Sequence, residues 1–245
     1  TAYEIKECDW SSDVCSSDLG PLEKFLPDGM SGETVVQLLP LPQGDQAAGV
    51  SVGLLSSDGR FKRLPLEEFQ ELSGRAASVL KLKDGVTLQR VVTCRDGEEL
   101  VVASSTGRLI RLVVNEANLP VMGRNAQGPV LLRLLPGETV VGAFGLEGTG
   151  SVVAASRQGL ILRLPLEGLR RCQRGDIGQI GVRFEQRGDQ LVDLCSGNQP
   201  LIGVVLADGR SLRLDTNTLE PDPTTGAAQG LGLGAKDQIR ELVPV

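Results

Sequence analysis

The sequence predicts an all-β, propeller-like fold of repeated four-stranded blades, and three observations carry that prediction. Gly59, Gly107, Gly159 and Gly209 are each followed by Arg at the fourth position and Leu at the fifth, at intervals of 48, 52 and 50 residues, with Arg63, Arg111, Arg163 and Arg213 as the repeated cation. Each glycine separates two short runs of strand-like patterning. Long amphipathic helical patterns are missing. A period of this size marks a repeat architecture, and a four-stranded unit of about 50 residues cannot bury both faces alone. Radial closure leaves short, protected edges, whereas a linear β-solenoid needs much shorter coils.

Within each unit the elements follow in a fixed order. A hairpin comes first, at 53–66, 101–114, 153–166 and 203–216, with Asp-Gly at 58–59 and 208–209 as turn punctuation. Two-residue turns require positive φ, which Gly and Asp tolerate. A polar linker follows at 66–74, 115–123, 166–175 and 216–226. Next comes an apolar segment (SVLKL, PVLLRL, IGVRF or GLGLG), then a turn, then a strand (LQRVVT, TVVGAF, QLVDLC or QIRELV) leading to the next hairpin. Residues 31–46 resemble 175–190, so a partial blade is expected over 20–48, before four repeats.

Residues 1–19 match nothing downstream and hold two of the five cysteines and the only Trp and Tyr. The string KECDWSSDVCSSDL resembles translated sequencing-adapter DNA and is set aside as non-native, the competing reading being a disordered tail. The repeat domain is then 20–245. Cys94, Cys172 and Cys195 form no CxxC pair and fit a reducing compartment as packing thiols. Histidine is absent, so a serine triad is excluded and no metal framework is implied. No apolar run approaches a membrane span. The formal charge of −6 argues against tight non-specific DNA binding unless the basic residues are segregated along one edge.

Strand alternation sets each repeated Arg and the following Leu on opposite faces. Leu64, Leu112, Leu164 and Leu214 are expected in the core, and the guanidinium groups on the outer surface. Arg60, Arg108 and Arg210 directly follow turns, while Lys62, Arg75, Arg124, Arg157, Arg170, Arg171 and Arg174 lie near the same turns or linkers. Two readings remain open. The cations form a belt that contacts phosphates, or the arginines make structural salt bridges with linker acids such as Glu67, Glu68, Glu116 and Glu167 on a protein-interaction scaffold.

The strings LLSSDGRFKRLPLEEFQELSGR and VVASSTGRLIRLV resemble blades of the C-terminal β-pinwheel of the bacterial DNA gyrase and topoisomerase IV A subunits. The unit at 151–195 fits through Gln158-Gly159-Leu160, Arg163 and Gln173-Arg174-Gly175, and the resemblance covers about residues 30 to 245. It implies a β-pinwheel that wraps double-stranded DNA on a basic rim, in a cytoplasmic, chromosome-associated setting. The partner it implies is the ATPase of the gyrase B or topoisomerase IV B type, and no membrane is involved. No cofactor is implied for this chain; ATP and magnesium would act through other domains. The family's catalytic tyrosine belongs to a region not represented here, and Tyr3 is not its counterpart. Of the wrapping box Gln-Arg-Arg-Gly-Gly-Lys-Gly, only Gln173-Arg174-Gly175-Asp176-Ile177-Gly178 comes near.

Overall fold

The computed structural model describes residues 34–70, 77–184, 186–221, 229–234 and 236–244. The set-aside stretch 1–19, much of the expected partial blade and Arg75 lie outside the described residues.

The predicted hairpins are present in all four units. They are β1 (Val50–Ser56) with β2 (Phe61–Pro65), β4 (Glu99–Ser104) with β5 (Arg108–Val113), β7 (Ser151–Ser156) with β8 (Leu160–Pro165), and β11 (Leu201–Leu206) with β12 (Ser211–Asp215). Register is the same in each: Leu55 faces Phe61, Ala103 faces Leu109, Ala155 faces Ile161, and Val205 faces Ser211. A third strand pairs with the first strand of every hairpin, namely β3 (Leu88–Arg95), β6 (Val140–Leu146), β10 (Leu191–Ser196) and β14 (Ile239–Pro244). These third strands pack side by side from blade to blade and form the hub.

The fourth strand does not come from the blade's own unit. It is donated by the next repeat, as β9 (Gln179–Ile180) on β5 and β13 (Gln229–Gly230) on β8, giving the orders β6-β4-β5-β9 and β10-β7-β8-β13. In the first blade Val130 takes this place, bridging Arg60, with Leu131 and Leu132 donating to the Gly59 carbonyl at 2.8 and 3.1 Å. The apolar segments of the second, third and fourth repeats therefore cross to the preceding blade. This is a covalent stitch between blades that a stack of independent units would lack.

Between successive blades lie three apolar clusters. The first joins Leu55, Phe61 and Val92 to Leu100, Ile110 and Leu112 of the next blade, and the second and third repeat that arrangement along the array. A fourth covers the other face of the first blade, where Val52, Leu54 and Leu64 meet Leu39, Leu41 and Val79. Both faces of β1 are thus covered, and every residue of it is buried. Leu64, Leu112, Leu164 and Leu214 are all buried, as their alternation required. Cys94, Cys172 and Cys195 are buried free thiols, and burial pushes Cys94 and Cys195 up to about 12.

The likeness of 31–46 to 175–190 does not extend to position in the blade. Gly44–Ala47 is a short 3-10 turn leading into β1, a hairpin strand, whereas Gly188-Asp189-Gln190 leads into β10, a third strand. A shared turn string supplied the match.

Candidate nucleic-acid interface

Three of the four repeated arginines are not on the outer surface, which corrects the expectation from strand alternation. Arg63 is 2% exposed, Arg111 is largely buried, and Arg163 is half-buried. Each lies on the second hairpin strand, and the linker of the next repeat runs alongside in parallel, bridging Arg63 to Val121, Arg111 to Arg171 and Arg163 to Pro221. The side chains then bond to that linker or its neighbours. Arg111 donates to the carbonyls of Leu166 and Leu169 at 2.7 and 3.0 Å and to Glu99 at 3.0 Å. Arg163 donates to the Thr216 and Gly197 carbonyls and to the Ser151 hydroxyl. Arg63 pairs with Asp96 and, at 3.5 Å, with Glu116. Arg213, on β12, has no such segment beside it among the described residues and is exposed.

The turn arginines also pair with acids, Arg108 inside the fold, Arg60 partly buried and Arg210 on the surface. Arg108 forms two hydrogen bonds with the Glu138 carboxylate and donates to the carbonyls of Ile177 and Arg133, with both partners of the pair buried. Burial alone would raise the Glu138 carboxyl, but bonds from Arg108, Thr106 and the Leu135 amide outweigh it and hold the group at about 2. Arg210 repeats the arrangement with Asp237 at 2.5 Å and Asp208 at 2.7 Å. Arg60 pairs with Asp58 at 3.2 Å and donates to the Gly128 carbonyl. In the third blade the acid remains as Asp189, but Leu160 stands where the arginine would be, and Asp189 Oδ2 is buried without a partner. Leu160→Arg is therefore expected to stabilise the fold by about 1 kcal/mol, the net scale of one ordinary intramolecular hydrogen bond. Thermal melting checks this, and unchanged or lower stability would contradict it.

Lys62 is fully buried, its ammonium bonded to the carbonyls of Val79 and Arg124, and burial lowers it despite the raising effect of Glu68. Arg124 is half-exposed and bonded to Glu68 at 2.5 Å. Arg171 is exposed and pairs with Glu99 at 2.6 Å. Burial pushes Glu99 up, but Arg111 and Arg171 together bring it below its usual value. Arg170 is exposed and pairs with Asp176 at 3.2 Å, so the box-like segment neutralises part of its own charge. Arg157 and Arg174 are exposed and have no ion-pair partner among the described residues.

A second repeated cation was missed by the glycine-based reading. Lys81, Arg133 and Arg183 occupy the same place in the segments SVLKL, PVLLRL and IGVRF, at intervals of 52 and 50 residues. Arg133 and Arg183 lie just past the donated fourth strand at the outer edge of the preceding blade. All three are exposed, and none has an acidic partner within 4.0 Å among the described residues. Lys83, Arg187 and Lys236 are likewise exposed in the loops that follow. These loops meet the hairpin turns, since Ser57, Ser105, Arg157 and Ala207 donate backbone bonds to Thr87, Thr139, Gln190 and Gln238. Solvated cations thus recur from blade to blade along one outer margin. The signal was present as a basic residue next to last in the first three apolar segments, SVLKL, PVLLRL and IGVRF, with Leu233 in that place in GLGLG.

Comparison with known proteins gives the same architecture. The family described as "DNA gyrase C-terminal domain, beta-propeller" matches residues 54–95, 98–145 and 150–194, more than half of the chain. The A subunit of DNA topoisomerase 4 from Synechocystis sp. is 31% identical over 192 residues, covering 73% of this chain and 20% of that protein. The A subunit of DNA gyrase from Pseudomonas aeruginosa is 29% identical over 147 residues, covering 60% and 16%. This chain therefore spans about a fifth of the length of these relatives or less. Among solved structures, the C-terminal domain of DNA topoisomerase IV superposes with a TM-score of 0.76 at 14% identity, over 90% of this chain and 68% of that one. The matched segments begin within the first hairpin or one residue before the next two and end in the third strands, so the resemblance follows the blades themselves. The chain belongs to the C-terminal β-propeller family of the DNA gyrase and topoisomerase IV A subunits.

Proposed function

We propose that this domain binds duplex DNA through its phosphates and bends it around the outer margin of the blades, as the non-catalytic wrapping module in the A subunit of a type IIA topoisomerase. The recurrence of exposed Lys81, Arg133 and Arg183, one in each of the first three repeats and without an acidic partner among the described residues, carries the reading. Sequence-independent backbone binding needs cations at regular spacing along a surface and little else. The arginines held inside the fold by carboxylates and carbonyls cannot supply it. Base readout requires side chains entering a groove, and the margin carries solvated cations on loops and strand ends instead. Wrapping by this module would support supercoiling or strand passage by the parent enzyme, together with a B-type ATPase partner, on the chromosome in the cytoplasm.

Binding of mixed-sequence duplex to the chain, measured across a salt series, tests the reading. Affinity should fall linearly with salt on logarithmic axes, by about 0.9 in slope for each phosphate engaged. End-to-end energy transfer on the same duplex should report bending. A duplex that remains straight, or binding with no salt dependence, would overturn the proposal.

A further inference from the structure

The hub contains a polar contact that reaches across a whole blade. In the third strands, Arg90, Gly142, Asp193 and Glu241 hold one register position, opposite Leu55, Ala103, Ala155 and Val205 respectively. Arg90 on the first blade donates to Asp193 Oδ1 on the third, over Gly142 of the second. A Cβ at Gly142 would lie 2.7 Å from Asp193 Oδ1 and 3.3 Å from the Arg90 guanidinium, so a side chain there would obstruct the crossing. Asp193 also accepts from its neighbour Leu194 at 2.8 Å and, through Oδ2, from the Leu242 amide of the fourth blade at 2.9 Å. One carboxylate thereby engages blades one, three and four. Its side chain is 1% exposed.

We propose that Arg90 and Asp193 are a positioning pair that fixes the angle between successive blades, and through it the curvature of the margin along which DNA is bent. The second half of this proposal rests on the DNA-binding reading above. The apolar clusters between blades hold adjacent units together, but hydrophobic burial is non-directional and sets no angle by itself. A buried ion pair adds little net stability over apolar residues of similar volume, while its geometry is restrictive. Among the described residues, no other side-chain hydrogen bond skips a blade. The backbone bond to Leu242 extends the same constraint to the last described blade.

The test uses the full 245-residue chain with Arg90→Leu and Asp193→Leu combined, which removes both charges without leaving either alone. The single Asp193→Leu variant strands Arg90 and serves only as a stability comparison. The double variant is expected to melt cooperatively within a few degrees of the unaltered chain. In the absence of DNA, its small-angle scattering should show an increased radius of gyration. On DNA, the salt slope should be unchanged because the margin cations remain, while end-to-end energy transfer falls and its distribution broadens. A folded double variant with an unchanged scattering profile overturns the positioning role, and an unfolded one overturns it too by showing that the pair carries stability. If the unaltered chain fails to bind DNA, the DNA-binding reading fails, and scattering still decides whether the pair positions the blades.

Discussion

Arg108→Ala is expected to cost about 3–5 kcal/mol of folding stability, the range found when one partner of a buried ion pair is removed. The substitution leaves the Glu138 carboxylate, itself buried, with only Ser104, Thr106 and the Leu135 amide. It also strips donors from the carbonyls of Ile177 and Arg133, which lie in the segments that join the second blade to its neighbours. Denaturant titration measures the loss; a change below about 1 kcal/mol, the scale of exposed pairs, would show that the pair is solvated. The same site has a pH signature. Glu138 is held at about 2 in the folded chain against an ordinary 4.5, so its contribution is complete above about 4.5 and disappears as pH falls toward 2. Arg108→Ala should remove most of that acid-range dependence.

Gly107→Ala is expected to cost about 1–3 kcal/mol, the usual penalty for forcing a side chain into sparsely populated backbone space. Gly107 has φ of +83°, and a Cβ there would lie 2.4 Å from the Val182 carbonyl oxygen. That oxygen belongs to the segment donated by the next repeat, whose Gly181 and Val182 amides bond to the Gly107 carbonyl at 2.9 and 3.0 Å. The clash is with backbone and cannot be relieved by rotating a side chain. Relief requires the donated strand to move, and Arg183 follows Val182 directly. Hydrogen exchange at Gly181 and Val182 should accelerate more than at β4, and DNA affinity should fall modestly as Arg183 loses its anchor. Uniform acceleration throughout the domain would show that the strand is not the weak point.

The local features were readable because local rules determine them. Turn glycines, the two-residue periodicity of the hairpins and the burial of Leu64, Leu112 and Leu164 follow from backbone sterics and alternation over a few residues. The position of IGVRF could not be read that way, because its hydrogen-bond partner is β5 of the preceding repeat, about 70 residues earlier. That crossing, with the linker that precedes it, covers the edge of the second strand in the first three blades and turns Arg63, Arg111 and Arg163 from surface cations into ties between blades. The two open readings of the repeated arginine divide along this line. Acid and carbonyl partners explain Arg63, Arg111 and Arg163 but not the exposed Arg213, and solvated cations recur at Lys81, Arg133 and Arg183. The hub pair is invisible to the repeat, because its register position changes character from Arg90 to Gly142 to Asp193. Aligning the strings TLQR, TVVG, QLVD and QIRE by strand register exposes that column.

Two triple variants compared side by side test the central claim, that the margin cations bind DNA while the glycine-spaced arginines hold the blades together. Lys81→Gln with Arg133→Gln and Arg183→Gln should leave the melting temperature nearly unchanged and reduce the salt slope of duplex binding by about 0.9 per lost phosphate contact. Arg63→Gln with Arg111→Gln and Arg163→Gln should lower the melting temperature by many degrees while the folded fraction keeps the original slope. The reverse outcome, with the slope lost in the second variant and stability lost in the first, would contradict the account.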